Sequence, residues 1–448
     1  MTHLHNNPED FVAESVAGFT RAHADIVRAV SGGVVRTRET PRGQVAVVIG
    51  GGSGHFPAFG GLVGSGLAHG AVIGNVFASP SSQQVYSVAR EVENGGGVIF
   101  LYGNYAGDVL NFNAAQDRLR QEGIACESVA VSDDIASAPA KSWQERRGVA
   151  GDLCVFKAAS YAAERGDSLE QVYELARSAN SRTKSLGIAF SGCTLPGAES
   201  PLFEVEPGTM EIGMGVHGEP GLDSMPVAPA AEIAQILVER LLAEKPDDAE
   251  EVAVVLSGLG SVKYEELYLL YGHVAQLLDD HGLVPVEPDV GELVTSFEMA
   301  GLSLTVNFLT PALKDAWCAP AYSAGYRKKA VENSVAAVAS PAAENISVEQ
   351  VVSPGSPESH QSAQRVQNAL VAVREVISQQ VEYLGQIDSV AGDGDHGIGM
   401  QRGAVAAEKR GVELLSQQAG VRTHLGGVAD AWSDESGGTS GAIWGVIL

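Results

Sequence analysis

The segment Asp388-Ser389-Val390-Ala391-Gly392-Asp393-Gly394-Asp395-His396-Gly397 gathers three carboxylates among glycines. Asp393 and Asp395 alternate across Gly394, so an extended backbone points both side chains to one side. Asp388 joins them if the chain turns. Clustered hard oxygen ligands suit Mg²⁺, which keeps waters and takes further ligands from substrate phosphates. The glycines leave backbone N–H groups free to approach a phosphate. The chemistry indicated is handling of a Mg²⁺-bound nucleotide. Asp-Gly pairs are also common turn formers, so a plain loop is the competing account. An EF-hand does not fit, because no bidentate Glu follows at the required distance.

A second motif lies far upstream. Gly50-Gly51-Gly52-Ser53-Gly54-His55 follows the apolar run Val45 to Ile49, which has the pattern of a buried strand. A strand opening into a Gly-rich turn cradles ligands at the carboxyl end of α/β sheets. Without Cβ atoms the backbone can approach a small polar molecule closely. The loop lacks the Gly-Lys-Ser/Thr of a P-loop, and no acidic residue follows as in a dinucleotide fingerprint. A tight turn ending in a surface His is the plain alternative.

Taken in order, these motifs resemble the dihydroxyacetone kinase family, in its single-chain ATP-dependent branch. Gly103-Asn104-Tyr105-Ala106-Gly107-Asp108-Val109-Leu110-Asn111-Phe112 and Gly213-Met214-Gly215-Val216-His217-Gly218-Glu219 strengthen the likeness. Ser436-Gly437-Gly438-Thr439-Ser440-Gly441 extends it to the end of the chain. The resemblance implies an α/β two-domain ketose-binding part followed by an all-α nucleotide-binding domain, a partial helical barrel. The activity it implies is ATP-dependent phosphorylation of a terminal hydroxyl on a short-chain ketose.

Roles follow residue by residue. An imidazole nitrogen can add to a ketone and form a hemiaminal, and by resemblance His217 is that covalent anchor. Asp108 and His55 are candidates for proton handling at the sugar hydroxyl. Asp108 also suits the N-cap of a helix beginning at Val109. Gly52, Ser53 and Gly54 are expected to line the sugar. Asp388, Asp393 and Asp395 are expected to hold Mg²⁺ bridging the ATP phosphates. His396, Gly397, Ile398 and Gly399, with Thr439 and Ser440, are expected around the phosphates or ribose. Many family members carry Lys where this chain has Gly103. That change opens space and moves the expectation toward a four-carbon ketose such as erythrulose, with dihydroxyacetone beside it.

Composition narrows the partners. The net charge of −26 and the lack of a basic stripe argue against nucleic acid or an anionic membrane. No apolar run is long enough to span a bilayer. The polar N-terminus is unlike a signal peptide. The four cysteines, Cys126, Cys154, Cys193 and Cys318, show no CxxC pair, which fits buried thiols in a reducing cytoplasm. By resemblance the protein is a homodimer.

The elements that must position these residues are legible in outline. Residues 1–181 alternate strands (44–49, 70–77, 97–102, 128–131) with helices (83–93, 109–122, 153–165, with Asp152 as N-cap), which implies a largely parallel, helix-covered sheet. Residues 182–332 form a second α/β unit carrying His217, with strands at 187–190, 209–213, 251–256 and 302–308 and helices at 230–245 and 264–279. Residues 333–362, rich in Ala, Ser and Pro, have the composition of a linker. Helices are expected at 363–383 and 399–410, and another from 439. The chain stops in apolar residues without a C-cap, so the expectation is that 363–448 is the N-terminal part of the nucleotide domain. Three further accounts stand beside the kinase: a ketose sensor without turnover, phosphorylation through a phosphotransferase system, and an FMN-forming cyclase.

Overall fold

Val45-Ala46-Val47-Val48-Ile49 is buried at every position. It leads into the strand Ala46–Ser53, an interior strand of a six-stranded sheet. A strand covered on both faces reads as a continuous apolar run. Its alternate residues serve two cores. Ala46 and Val48 pack with Val85, Val88, Phe112 and Leu119 from the helices Ser82–Val92 and Ala106–Gln121. Val47 and Ile49 pack with Leu153, Phe156 and Val172 from the helices Asp152–Glu164 and Leu169–Arg182. The structure is a computed structural model that describes residues 3–329, 352, 354–390, 396–436 and 438–448.

The sheet runs in the order Val27–Val30, Gly33–Arg36, Gly70–Val76, Ala46–Ser53, Val98–Gly103, Cys126–Val131. The last four strands are parallel. The first two form an antiparallel hairpin that extends the sheet at one edge. Two capping boxes, Ser81 with Gln84 and Ser168 with Gln171, start two of the covering helices.

The second sheet departs from a parallel α/β pattern. Thr183–Ala189, Gly301–Phe308 and Glu251–Gly258 pair antiparallel at its centre. Val252, Val254 and Leu256 face the helices Ala230–Leu242 and Tyr264–Asp280, while Ala253 and Val255 join the core beneath the first sheet. The two sheets therefore share a core within one unit, Met1–Ser334.

Val335–Leu448 is the second unit. Its described elements are the helices Pro357–Asp388, His396–Ser416, Val421–Ser436 and Gly438–Ile447. Leu370, Ile377, Met400, Ala404, Ala407, Val428 and Trp432 form its core. Most of the expected linker lies outside the described residues, but its end is helical. Ser356 caps the Ser359 N–H and Pro357 occupies the first turn, where its missing N–H costs nothing.

Two helix starts differ from expectation, and both matter below. The helix expected from Val109 begins at Ala106, with Tyr105 at the cap position. Asp108 is therefore inside the first turn and makes no capping hydrogen bond. The helix expected from Leu153 begins at Asp152, with Gly151 at the cap position. Asp152 is thus the first helical residue instead of the cap.

Candidate functional site

Three loops at the carboxyl ends of strands converge on a cavity of about 240 Å³. The first is the glycine loop at the end of Ala46–Ser53, which contributes Gly50, Gly51, Gly52 and His55. The second follows Val98–Gly103 and contributes Tyr105, Gly107 and Asp108. The third follows Thr209–Ile212 and contributes Val216 and His217. Gly148, Val149 and Asp152, ahead of and at the start of the helix Asp152–Glu164, close another side.

His55 and His217 meet at the centre, 162 residues apart in sequence, with their Nε2 atoms 3.0 Å apart. His55 Nδ1 lies 2.8 Å from the Thr295 carbonyl oxygen. A carbonyl only accepts, so this nitrogen carries a proton. His217 Nδ1 lies 3.0 Å from Glu219 Oε1. The Glu219 carboxyl is pulled down to about 2: burial opposes ionisation, but hydrogen bonds from the His217 ring and backbone N–H outweigh it. It is therefore a carboxylate, and His217 Nδ1 donates to it. Burial, and then the neighbouring His217, push His55 down to about 3, so its Nε2 is an acceptor. The Nε2–Nε2 contact is satisfied by a single proton between the rings, and without that proton both Nε2 atoms present lone pairs to the cavity.

Aromatic rings pack around this pair. Phe77 stacks on His55 with ring centroids 5.0 Å apart and stands edge-on to His217. Its own φ is 52°, a strained value for a bulky residue, of the kind found at functional sites. Tyr105 is edge-on to His217 from another side and donates to the Gly148 carbonyl at 3.0 Å. Beneath His217, Arg147 binds Asp134 at 2.7 Å and approaches Glu219 at 3.8 Å. Gly215 is needed here: a Cβ on it would collide with the Glu219 carboxylate and the Arg147 guanidinium.

Asp108 is almost fully buried, and its Oδ1 has no hydrogen-bond partner. Burial pushes its carboxyl up to about 6, against the opposing pull of Ser79 and His217. A group with that value exchanges a proton near neutral pH.

Of the residues expected at the sugar, the cavity brings together Gly52, His55, Asp108 and His217. Ser53 and Gly54 line a neighbouring apolar cavity instead. The Ser53 hydroxyl is taken by the Gly74 carbonyl at 2.7 Å, because the strand bulges between Gly51 and Ser53 and turns Ser53 away. The expectation missed Glu219, Thr295, Phe77, Tyr105 and Asp152. Glu219 lay within the quoted motif, two residues from His217, and that spacing was its signal. Thr295 acts through a backbone carbonyl and left none.

In the second unit, Asp388 ends the helix Pro357–Asp388 and accepts from the His396 N–H, 3.4 Å away at the start of the next helix. Asp393 and Asp395 lie outside the described residues. Gly397 packs against the Val381 carbonyl. The Ser436 hydroxyl is buried without a partner, 3.6 Å from where a Cβ on Gly399 would stand. Ile398 lies in the first turn of the same helix. Thr439 and Ser440 fall in the helix Gly438–Ile447. A hard carboxylate and an unpartnered hydroxyl beside a helix N-terminus fit a Mg²⁺-bound phosphate.

The Dak1 domain family matches residues 17–325, and the DAK2 domain family matches residues 390–448. An L-erythrulose kinase of Pectobacterium atrosepticum is 55% identical over 455 residues, covering 100% of this chain and 76% of that protein. An L-erythrulose 1-kinase of Mycolicibacterium smegmatis is 48% identical, covering 100% of this chain and 79% of that protein. The crystal structure of the dihydroxyacetone kinase from C. freundii with AMP-PNP and Mg²⁺ matches with a TM-score of 0.68 at 29% identity, covering 99% of this chain and 81% of that one. With an α/β unit, a following helical unit and these relatives in hand, the chain belongs to the single-chain dihydroxyacetone kinase family.

Proposed function

We propose that this protein is an ATP-dependent kinase that phosphorylates a terminal hydroxyl of a short-chain ketose, with erythrulose the first candidate and dihydroxyacetone the second. The observation that carries this reading is that His55 and His217, the latter held by Glu219, line one small cavity with the buried Asp108 carboxyl. The substrate class is supported by the relatives named for erythrulose.

In this reading the proton shared with His55 leaves His217 Nε2, and the lone pair so freed adds to the ketone carbon. The carbonyl π pair moves to oxygen, which takes the proton shared with His55 in the free site. The product is a hemiaminal whose substituted ring stays positive at Nδ1–H, neutralised by the Glu219 carboxylate. Capture depends on a carbonyl, so polyols such as glycerol are rejected. Asp108 accepts the proton of the terminal hydroxyl as it attacks phosphorus.

Asp388, with Asp393 and Asp395 by resemblance, would hold Mg²⁺, and His396 to Gly399, Thr439 and Ser440 would lie around the phosphates. Bound Mg²⁺-ATP supplies the phosphoryl group and neutralises charge on it. Cytoplasmic location and a homodimer complete the proposal.

The test is ADP release with ATP, Mg²⁺ and a panel of three- to five-carbon ketoses. Ketose-dependent ADP is expected, and its absence with every sugar overturns the kinase. A binding-only protein is the second reading, favoured by the fact that every described cavity residue lies within Met1–Ser334. It gives a sugar adduct by native mass spectrometry without ADP.

A further inference from the structure

Covalent capture by an imidazole selects a carbonyl and nothing else, so some other group must read the hydroxyls that make a ketose a sugar. The cavity contains a carboxyl with no assigned task. Asp152 is 3% exposed and lines the cavity wall. Its Oδ1 is buried without a hydrogen-bond partner. A helix-capping duty does not account for it. Asp133 already accepts the Val149 and Gly151 N–H groups, both at 2.8 Å, and so holds the loop that leads into the helix.

The geometry points to Asp152 as a specificity residue that hydrogen-bonds a substrate hydroxyl other than the one phosphorylated. This rests on the reading of the cavity as a ketose site. An unpartnered buried polar atom is costly, and a ligand that satisfies it gains what an analogue lacking the hydroxyl forfeits. Its corner supports the role. Tyr105 and Gly148 stand beside it, and Gly148 passes so close to Gly103 that a Cβ on it would lie 2.6 Å from the Gly103 Cα. Neither glycine projects a side chain, and the Tyr105 ring stands 3.1 Å from where a Cβ on Gly103 would lie. Burial, with Asp133 and Asp108 facing it, raises the Asp152 carboxyl well above the usual range. That direction favours the protonated form, which has an O–H to donate. The neighbour Asp133 is committed to the Val149 and Gly151 N–H groups and does not compete for the ligand.

Binding to the full chain, measured by calorimetry without ATP, separates the outcomes. The ligands are erythrulose and 1-hydroxybutan-2-one, which keeps the ketone and one hydroxyl but lacks the other two. Asp152→Ala and Asp152→Leu remove the donor, and Asp152→Asn keeps one. The expected result is a rise in Kd for erythrulose of about tenfold or more in the Ala and Leu variants, with 1-hydroxybutan-2-one changed by less than about threefold. Asp152→Asn is expected to bind erythrulose within about threefold of the parent chain. Equal weakening of both ligands, or of neither, overturns the assignment. So does an Asn variant as damaged as the Ala variant, which would make the carboxyl an ionised acceptor. A parent chain that binds neither ligand overturns the ketose site and this inference together, whereas binding without ADP release leaves this inference standing and removes only the kinase.

Discussion

Asp108 is the residue whose environment sets the pH behaviour of the site. Its carboxyl titrates at about 6 in the folded protein, against 3.8 unfolded. As the proposed base it must be ionised, so kcat is expected to fall as pH drops through about 6. Asp108→Asn should lower kcat by about a hundredfold or more and abolish that acidic limb. The same shift has a consequence for stability. The folded state binds this proton more tightly than the unfolded state does. The stabilisation is complete below 3.8 and is lost as pH rises through about 6. Denaturant unfolding should therefore find Asp108→Asn more stable than the parent at pH 7, by about 1–3 kcal/mol, with the gap closing toward pH 4. No such gap would mean that the Asp108 pocket is wet. Glu219 behaves in the opposite sense: at about 2 it stays ionised throughout the working range. His217→Ala should abolish sugar capture in native mass spectra while leaving the fold intact, since the ring is only partly buried.

At the scale of elements, the site depends on backbone shape as much as on side chains. Gly215 shows how. A Cβ there strikes the far ends of Glu219 and Arg147, which are flexible, and no backbone atom. Gly215→Ala should therefore displace Glu219 from His217 and weaken ketose binding by about tenfold, with little change in melting temperature. A large loss of stability would show instead that the loop backbone cannot yield. Strand-then-glycine logic was enough to find the loop at 50–55 and the strand behind it, because a doubly buried strand writes its apolar run plainly. The antiparallel centre of the second sheet was not legible: strands covered on both faces, such as Glu251–Gly258 and Gly301–Phe308, look alike whichever way they pair. The hairpin Val27–Val30 with Gly33–Arg36 escaped because its strands are only four residues each. The starts at Ala106 and Asp152 were misplaced because Asp is a good cap and an equally good first-turn residue. In both cases the Asp faces the cavity, and that tertiary fact overrides the local preference.

At the scale of the whole molecule, charge separates the two substrates. The chain carries −26, and Mg²⁺-ATP is an anion whereas the ketose is neutral. A field of that sign opposes the approach of nucleotide and leaves the sugar untouched. Attraction at the nucleotide site must come from the bound cation and from backbone N–H groups, which act over short range. Salt screens the long-range repulsion, with a Debye length of about 30 Å at 0.01 M and about 10 Å at 0.1 M. Raising ionic strength across that interval with a non-chelating salt should therefore increase kcat/KM for Mg²⁺-ATP severalfold, while the Kd of the ketose measured without nucleotide stays constant. For most enzymes that bind anions through basic patches the trend runs the other way. A fall in kcat/KM for ATP with salt would mean that local cationic groups dominate the nucleotide's path. A salt-dependent ketose Kd would mean that a charge at the cavity of Asp108, Asp152 and His217 changes when the sugar binds, and the proton balance drawn for His55 and His217 would then be wrong.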